Sequence, residues 1–99
     1  MQKLTGKQAR YLRGLGHSLK AILQVGKHGV SEKFLDELRE ALEAHELLKV
    51  KVIKTSTLDV REAAEEITEK TPCFLAQNVG KTLLLYKARE KNSEITLPK

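Results

Sequence analysis

The chain has 99 residues, with 18 Lys and Arg against 13 Asp and Glu, which gives a formal net charge of +5. This length supports one modest hydrophobic core and excludes two. The single cysteine, Cys73, excludes a disulfide framework and a multi-cysteine zinc site. The longest apolar run, Leu83 to Tyr86, is far shorter than the roughly 20 residues of a membrane span, and the sequence opens without a secretion signal. We therefore expect a cytoplasmic protein without a membrane partner.

The first predicted element is an amphipathic helix over Gly6–Gly14. Thr5 and Gln8 have the spacing of a capping box at its start, and Gly14 and Gly16 are expected to end it. Basic residues occupy one side of this helix. The apolar residues share the opposite arc: Leu4, Tyr11, Leu12 and Leu15. The pattern predicts a helix that packs by one side and presents a cationic surface on the other.

The positive charge of the chain is concentrated in its first third. Residues 1–31 contain six basic residues and no acidic one. These six are Lys3, Lys7, Arg10, Arg13, Lys20 and Lys27. Residues 32–99 hold 12 basic and 13 acidic residues, so the remainder is nearly neutral. The segregation favours a binding site for a polyanion, with an ordinary solvated basic face as the alternative.

A glycine-bounded loop follows the next predicted element. Ala21–Val25 is short and apolar, which predicts a buried strand, and Ser31 caps a second predicted helix that ends near His45. Between them lies Gly26-Lys27-His28-Gly29. Two glycines permit positive φ angles and close approach of a ligand, and a GxxG loop clamps the nucleic-acid backbone in KH domains. The loop and the next helix N-terminus together predict a phosphate contact, with a tight structural turn as the alternative.

The remaining elements complete an α-β-α-β-α-β-β order. Residues 34–45 carry the core stripe of the second helix, with His45 as its last member, either in the core or at the helix end. Leu48–Val52 alternates strictly between apolar and basic residues, as a strand does. Asp59 caps a third helix, and residues 73–79 and 82–87 form a hairpin across Gly80-Lys81. We expect an α/β fold: one compact domain with a mixed four-stranded sheet packed with helices. Residues 88–99 are expected to be a loosely attached tail.

No catalytic apparatus is visible in the sequence. His17, His28 and His45 are too scattered to form a metal site with Cys73, which is expected to be a small core residue. Gly80-Lys81-Thr82 imitates the end of a P-loop, but Leu75 stands where the pattern needs glycine and a strand follows where it needs a helix. We expect no enzyme activity, no cofactor, no metal and no small-molecule substrate.

Four segments resemble the CRM (chloroplast RNA splicing and ribosome maturation) domain family, in particular its stand-alone bacterial, YhbY-type members. They are Leu12–Lys20, Val25–Glu32, Ala41–Lys51 and Gln77–Tyr86, in the order that the family has them. The resemblance spans residues 3–87 and implies a fold similar to the C-terminal domain of translation initiation factor three. It also implies RNA binding and association with large ribosomal subunit precursors, with Gly26, Lys27, His28, Gly29 and the neighbouring basic residues as the RNA surface.

The expected protein is therefore a monomer with an RNA-binding domain over residues 1–87. Its partner is expected to be large-subunit ribosomal RNA in precursor particles, with the six basic residues of the first third along the phosphates. The alternative is a protein-interaction module. Residues 32–70 hold 11 acidic and 7 basic residues, and their acidic helix faces could dock a ribosomal protein or an assembly factor.

Overall fold

The computed structural model describes residues 4–89 and 93–98 as three helices and four strands. The elements are α1 (Gly6–Gly16), β1 (Ala21–Val25), α2 (Glu32–His45), β2 (Leu47–Val52), α3 (Val60–Lys70), β3 (Phe74–Val79) and β4 (Thr82–Tyr86). This is the order that the sequence predicts. The caps are also as predicted, since Thr5, Ser31 and Asp59 each accept a hydrogen bond from a backbone N–H in the first turn of α1, α2 and α3.

The four strands form one mixed sheet in the order β1-β2-β4-β3. β1 and β2 are parallel and are joined through α2, whereas β4 is antiparallel to both β2 and β3. The hairpin between β3 and β4 turns at Gly80, which has a φ of +57°. The mixed α/β sheet is confirmed, and β1 and β3 are its two edges.

Helices cover both faces of the sheet. Leu35 and Leu38 of α2, with Ile67 of α3, pack on one face, and this larger core takes the residues at alternate positions of β2. Leu12 of α1 packs on the other face in a smaller core with Leu84 and other strand residues. The two cores lie on opposite sides of the sheet because successive strand side chains point to opposite faces.

The predicted burial of three regions is wrong. β1 is mostly exposed, with Ile22 at 52% exposure, because it is an edge strand that α1 does not cover. Tyr11 and Leu15 are also exposed, since only the arc of α1 around Leu12 meets the sheet. His45 is exposed as the last residue of α2, so it is a helix-end histidine and does not belong to the core stripe.

The C-terminal segment is attached more firmly than the sequence predicts. Ile95 and Leu97 are partly buried against the smaller core, and Gln8 of α1 donates a hydrogen bond from Nε2 to the Pro98 carbonyl oxygen at 3.2 Å. Isolated apolar residues in a polar stretch gave no sign of this contact. The segment therefore packs beside α1 and covers part of the smaller core.

The buried carboxylate of Glu46 also holds the C-terminal segment, through hydrogen bonds. Glu46 lies between α2 and β2 with a φ of 59° and no exposed surface. Its Oε2 accepts a hydrogen bond from the Ser93 hydroxyl at 2.7 Å, and its Oε1 accepts from the Glu94 N–H and from Arg89 Nε at 3.3 Å. Burial raises the pKa of the Glu46 carboxyl, but the hydrogen bonds from Glu94, Ser93 and Arg89 and the Arg89 charge outweigh this, so the net pKa is lowered.

Candidate nucleic-acid interface

One side of α1 presents cationic side chains beside the sheet. Arg10, Arg13 and His17 follow at intervals of three and four residues and therefore lie on the same side of the helix. Both arginines are exposed. The helix continues through Gly14, which carries no side chain to obstruct this surface, so α1 is longer than the predicted Gly6–Gly14.

Gly16 brings the end of α1 into direct contact with the sheet. It is buried, and a Cβ atom built on it would lie 2.8 Å from Leu84 Cδ1, closer than packed carbons approach. A side chain at this position would force Leu84 to move, so the glycine allows close packing of α1 on β4. The prediction that Gly16 ends the helix is confirmed, since α1 ends at this residue. This close approach sets the depth of the space beside α1.

A groove of about 860 Å³ lies between α1 and the uncovered part of the sheet. Arg10, Arg13 and His17 form one side of the groove. Its floor and rim come from the strands and the segment before β1, namely Leu19, Ala21, Lys49, Gln77, Val79, Thr82 and Leu84. No carboxylate occurs among the described residues that line it, so its electrostatic potential favours an anion.

Lys49 lines the groove but was not singled out by the sequence reasoning. It lies in β2 between Leu48 and Val50, which are buried in the larger core, so its own side chain lies on the α1 face. The alternation at Leu48–Val52 predicted a basic strand face. That pattern could not show that this face opens towards the cationic side of α1, because the position of α1 over the sheet is a tertiary feature.

The GxxG loop forms a second, smaller surface at the end of β1. Gly29 donates a backbone hydrogen bond to the Gly26 carbonyl oxygen at 3.0 Å and has a φ of +64°. Gly26 lacks a positive φ, so the expectation that both glycines use this freedom is wrong for Gly26. Lys27 and His28 project from the turn and are exposed.

The depression beside the loop is shallow, with a volume of about 200 Å³. Gln24, Ser31 and Phe34 line it together with two groups of opposite charge, Lys33 and Glu37. The Ser31 hydroxyl is engaged in the cap of α2, where it accepts from the Phe34 N–H at 3.1 Å. The loop therefore offers exposed basic side chains next to a helix N-terminus, but in a less uniform field than the groove beside α1.

The structure brings only some of the predicted site residues together. Arg10 and Arg13 line the groove beside α1, whereas Lys27 and His28 belong to the loop. Lys7 and Lys20 are exposed but line neither depression, and Lys3 lies outside the described residues. The two surfaces are connected by β1, because Ala21 lines the groove and Gln24 lines the loop depression, roughly 10 Å further along the strand.

Cys73 and the other titratable groups add no visible reactive centre. Cys73 is buried, and its burial raises the pKa of the thiol to about 11. Over residues 4–89 and 93–98, no three His, Cys, Asp or Glu side chains are grouped as ligands for a metal ion. In the same part of the chain, no helix has both the length and the apolar character that crossing a membrane requires.

Comparison with known proteins identifies the family. The family described as the CRS1 / YhbY (CRM) domain matches residues 4–87. The chain belongs to the CRM domain family. A Bacillus subtilis (strain 168) relative named "Probable RNA-binding protein YqeI" is 43% identical over 95 residues, which cover 96% of this chain and 99% of the relative. The Haemophilus influenzae relative named "RNA-binding protein" is 34% identical over 99 residues, which cover 100% and 99% of the two chains.

A solved structure supports the CRM fold as well. The solution structure of the hypothetical protein SAV1595 from Staphylococcus aureus superposes with a TM-score of 0.80 at 41% sequence identity. The match covers 96% of this chain and 99% of the other. The CRM match includes α1, the GxxG loop and all four strands, so both surfaces described above lie inside the family domain.

Proposed function

We propose that this protein binds RNA without catalysing a reaction, and that it associates with precursors of the large ribosomal subunit. The GxxG loop and the cationic side of α1 contact the ribosomal RNA backbone. The observation that carries the proposal is the groove beside α1, where Arg10, Arg13 and Lys49 meet without a carboxylate among the described lining residues. The relatives that are named as RNA-binding proteins support the same ligand.

The charge distribution of the fold favours one orientation of the RNA. The cationic side of α1 and the exposed residues Lys27 and His28 lie at the two ends of β1, so one nucleic-acid strand can contact both. The acidic residues of α2 and α3, such as Glu40 and Glu65, are exposed on helices that cover the opposite face of the sheet. Phosphate groups would be repelled from that face and attracted to the α1 face.

The first experiment measures RNA affinity against salt concentration. If about six phosphates on single-stranded RNA are neutralised, log K should fall against log salt with a slope of roughly −4. Lys27→Ala should weaken binding and reduce the slope by about 0.7, while His28→Asp should weaken binding more because its carboxylate repels phosphate. Lys70→Ala is the matched control, since Lys70 is exposed on α3. An affinity that does not change with salt would contradict backbone binding.

The second experiment tests the ribosomal partner and the alternative function. The protein should sediment with precursors of the large subunit in a gradient and leave them after ribonuclease treatment. The acidic faces of α2 and α3 are exposed and could instead dock a ribosomal protein or an assembly factor. Association that survives removal of RNA, and that is lost when exposed glutamates of α2 are changed to glutamine, would favour protein docking over RNA binding.

A further inference from the structure

The floor of the groove beside α1 carries three polar side chains, Lys49, Gln77 and Thr82, among apolar ones. Two rows of paired residues cross the sheet side by side. The first row runs Ala21, Lys49, Leu84, Gln77, and the second runs Gln24, Lys51, Thr82, Val79. Each row crosses all four strands, which at about 4.8 Å between strands is roughly 14 Å. The polar groups of the floor are therefore fixed by sheet register.

The polar groups of the floor include hydrogen-bond acceptors as well as donors, whereas a surface that binds only phosphate needs donors. Lys49 carries an ammonium donor, Gln77 an amide that both donates and accepts, and Thr82 a hydroxyl that does the same. None of the three is among the residues with a side-chain hydrogen bond or an ion pair in the described part of the chain. All three side chains are half-buried and line the groove. Their polar groups are therefore available to a ligand bound there.

We infer that the groove beside α1 binds the unpaired nucleotides of a single-stranded RNA segment. Arg10 and Arg13 hold the phosphates, and Lys49, Gln77 and Thr82 contact base edges or ribose hydroxyls. This inference rests on the proposed function and extends it, because it adds a second mode of contact away from the GxxG loop. The groove volume lies within the range of about 300–1,000 Å³ typical of pockets that enclose small organic groups.

The shape of the groove favours a single strand over a duplex. α1 packs closely on the sheet at Gly16 and Leu84 and forms one side of the groove, so a ligand reaches the floor beside the helix. The bases of an RNA duplex are stacked and paired inside the helix, whereas those of a single strand can turn outward to meet protein groups. The cationic side of α1 would then follow the backbone while the floor meets the bases.

The experiment compares a fluorescein-labelled oligouridylate with a blunt-ended RNA duplex of equal length. Lys49→Gln, Gln77→Ala and Thr82→Val should each weaken binding of the unpaired RNA by about fivefold, the effect of one lost hydrogen bond. Thr82→Val preserves the shape of the side chain and suits a strand. Arg61→Gln on α3 is the control for Lys49→Gln because it removes the same charge from an exposed position on the opposite face. The same changes should alter duplex binding much less.

The outcomes separate this inference from the proposed function. If Lys27→Ala weakens binding but the three groove variants bind oligouridylate as the wild type does, the groove inference is overturned and RNA binding through the loop stands. If the wild type binds neither RNA, both proposals are overturned. Weaker binding of oligouridylate by the three groove variants, but not by Arg61→Gln, supports the inference. Circular dichroism verifies that each variant is folded.

A second experiment measures whether bound RNA protects the groove from alkylation, and it does not require a change in affinity. Cys73 is buried with a thiol pKa of about 11, so the thiol introduced by Thr82→Cys would be the one that alkylates readily. Oligouridylate should slow this alkylation, and it should not slow alkylation of the thiol introduced by Glu69→Cys on α3. Equal alkylation of the Thr82→Cys thiol with and without saturating RNA would overturn the inference.

Discussion

The buried Glu46 carboxylate offers a test of how the C-terminal segment is held. Glu46→Gln keeps the size of the side chain but removes its charge and replaces one accepting oxygen with a donor. The carboxylate has no exposed surface and receives hydrogen bonds from Arg89, Ser93 and the Glu94 N–H. Breaking a fully buried ion pair costs about 3–5 kcal/mol. Arg89 retains 18% side-chain exposure and can still be partly solvated, so we expect a loss of about 2–3 kcal/mol.

Urea unfolding at pH 7, followed by circular dichroism, measures this loss. With a slope near 1–3 kcal/mol per molar urea for a small protein, the midpoint should fall by about 1–2 M. Glu40→Gln is the control, because Glu40 is exposed on α2, the helix that precedes Glu46, and its charge should contribute little. A Glu46→Gln variant as stable as Glu40→Gln would refute the view that this carboxylate fastens the segment.

The pH dependence of the same loss tests its electrostatic origin. The hydrogen bonds and Arg89 outweigh the effect of burial and lower the pKa of Glu46 below its ordinary 4.5. A lowered pKa means that the carboxylate stabilises the fold above about pH 4.5, and that this stabilisation is lost as the pH falls through the folded-state value. The difference between wild type and Glu46→Gln should therefore be full at pH 7 and shrink below pH 4.5. A difference that stays constant down to pH 3 would contradict the reasoning.

Two further predictions concern α1 and the buried thiol. Gly16→Ala should destabilise the protein by about 1–3 kcal/mol, because its Cβ would collide with Leu84. Gly14→Ala meets no atom within 4 Å and should stabilise by up to about 1 kcal/mol. The two melting temperatures should therefore differ by at least about 4 °C, and equal values would show that Leu84 accommodates the added methyl group without cost. Cys73, with a pKa of about 11, should resist iodoacetamide at pH 8 until urea unfolds the chain, and rapid alkylation of the native protein would contradict its burial.

Local patterns predicted the elements and their order well. The capping residues Thr5, Ser31 and Asp59 each begin a helix where the sequence places one, because a cap depends only on residues within one turn. The hairpin at Gly80 and the strand at Leu48–Val52 were predictable for the same reason. The two surfaces with candidate function were also marked in advance, by a run without acidic residues and by a GxxG loop.

Features that depend on the position of α1 over the sheet were not predictable. β1 was expected to be buried because it is apolar, but its burial depends on strand order, which makes it an edge. Lys49 was not recognised as a residue of the groove because the sequence shows which residues share a strand face but not which element lies opposite that face. Ile95 and Leu97 were assigned to a loose tail, since their partners in the smaller core come from distant parts of the chain.

The contact between Gln8 and Pro98 has a consequence for the order of folding during synthesis. The two residues are 90 positions apart, so the contact between α1 and the C-terminal segment cannot form until residue 98 has left the ribosome. The larger core, formed by α2, α3 and the strands, can assemble earlier because it needs no residue beyond Leu85. The C-terminal segment would join α1 last, since contacts of long sequence separation are slow to form. On a nascent chain the groove residues, which end at Leu84, would therefore be in place before the side of α1 that meets Pro98 is covered.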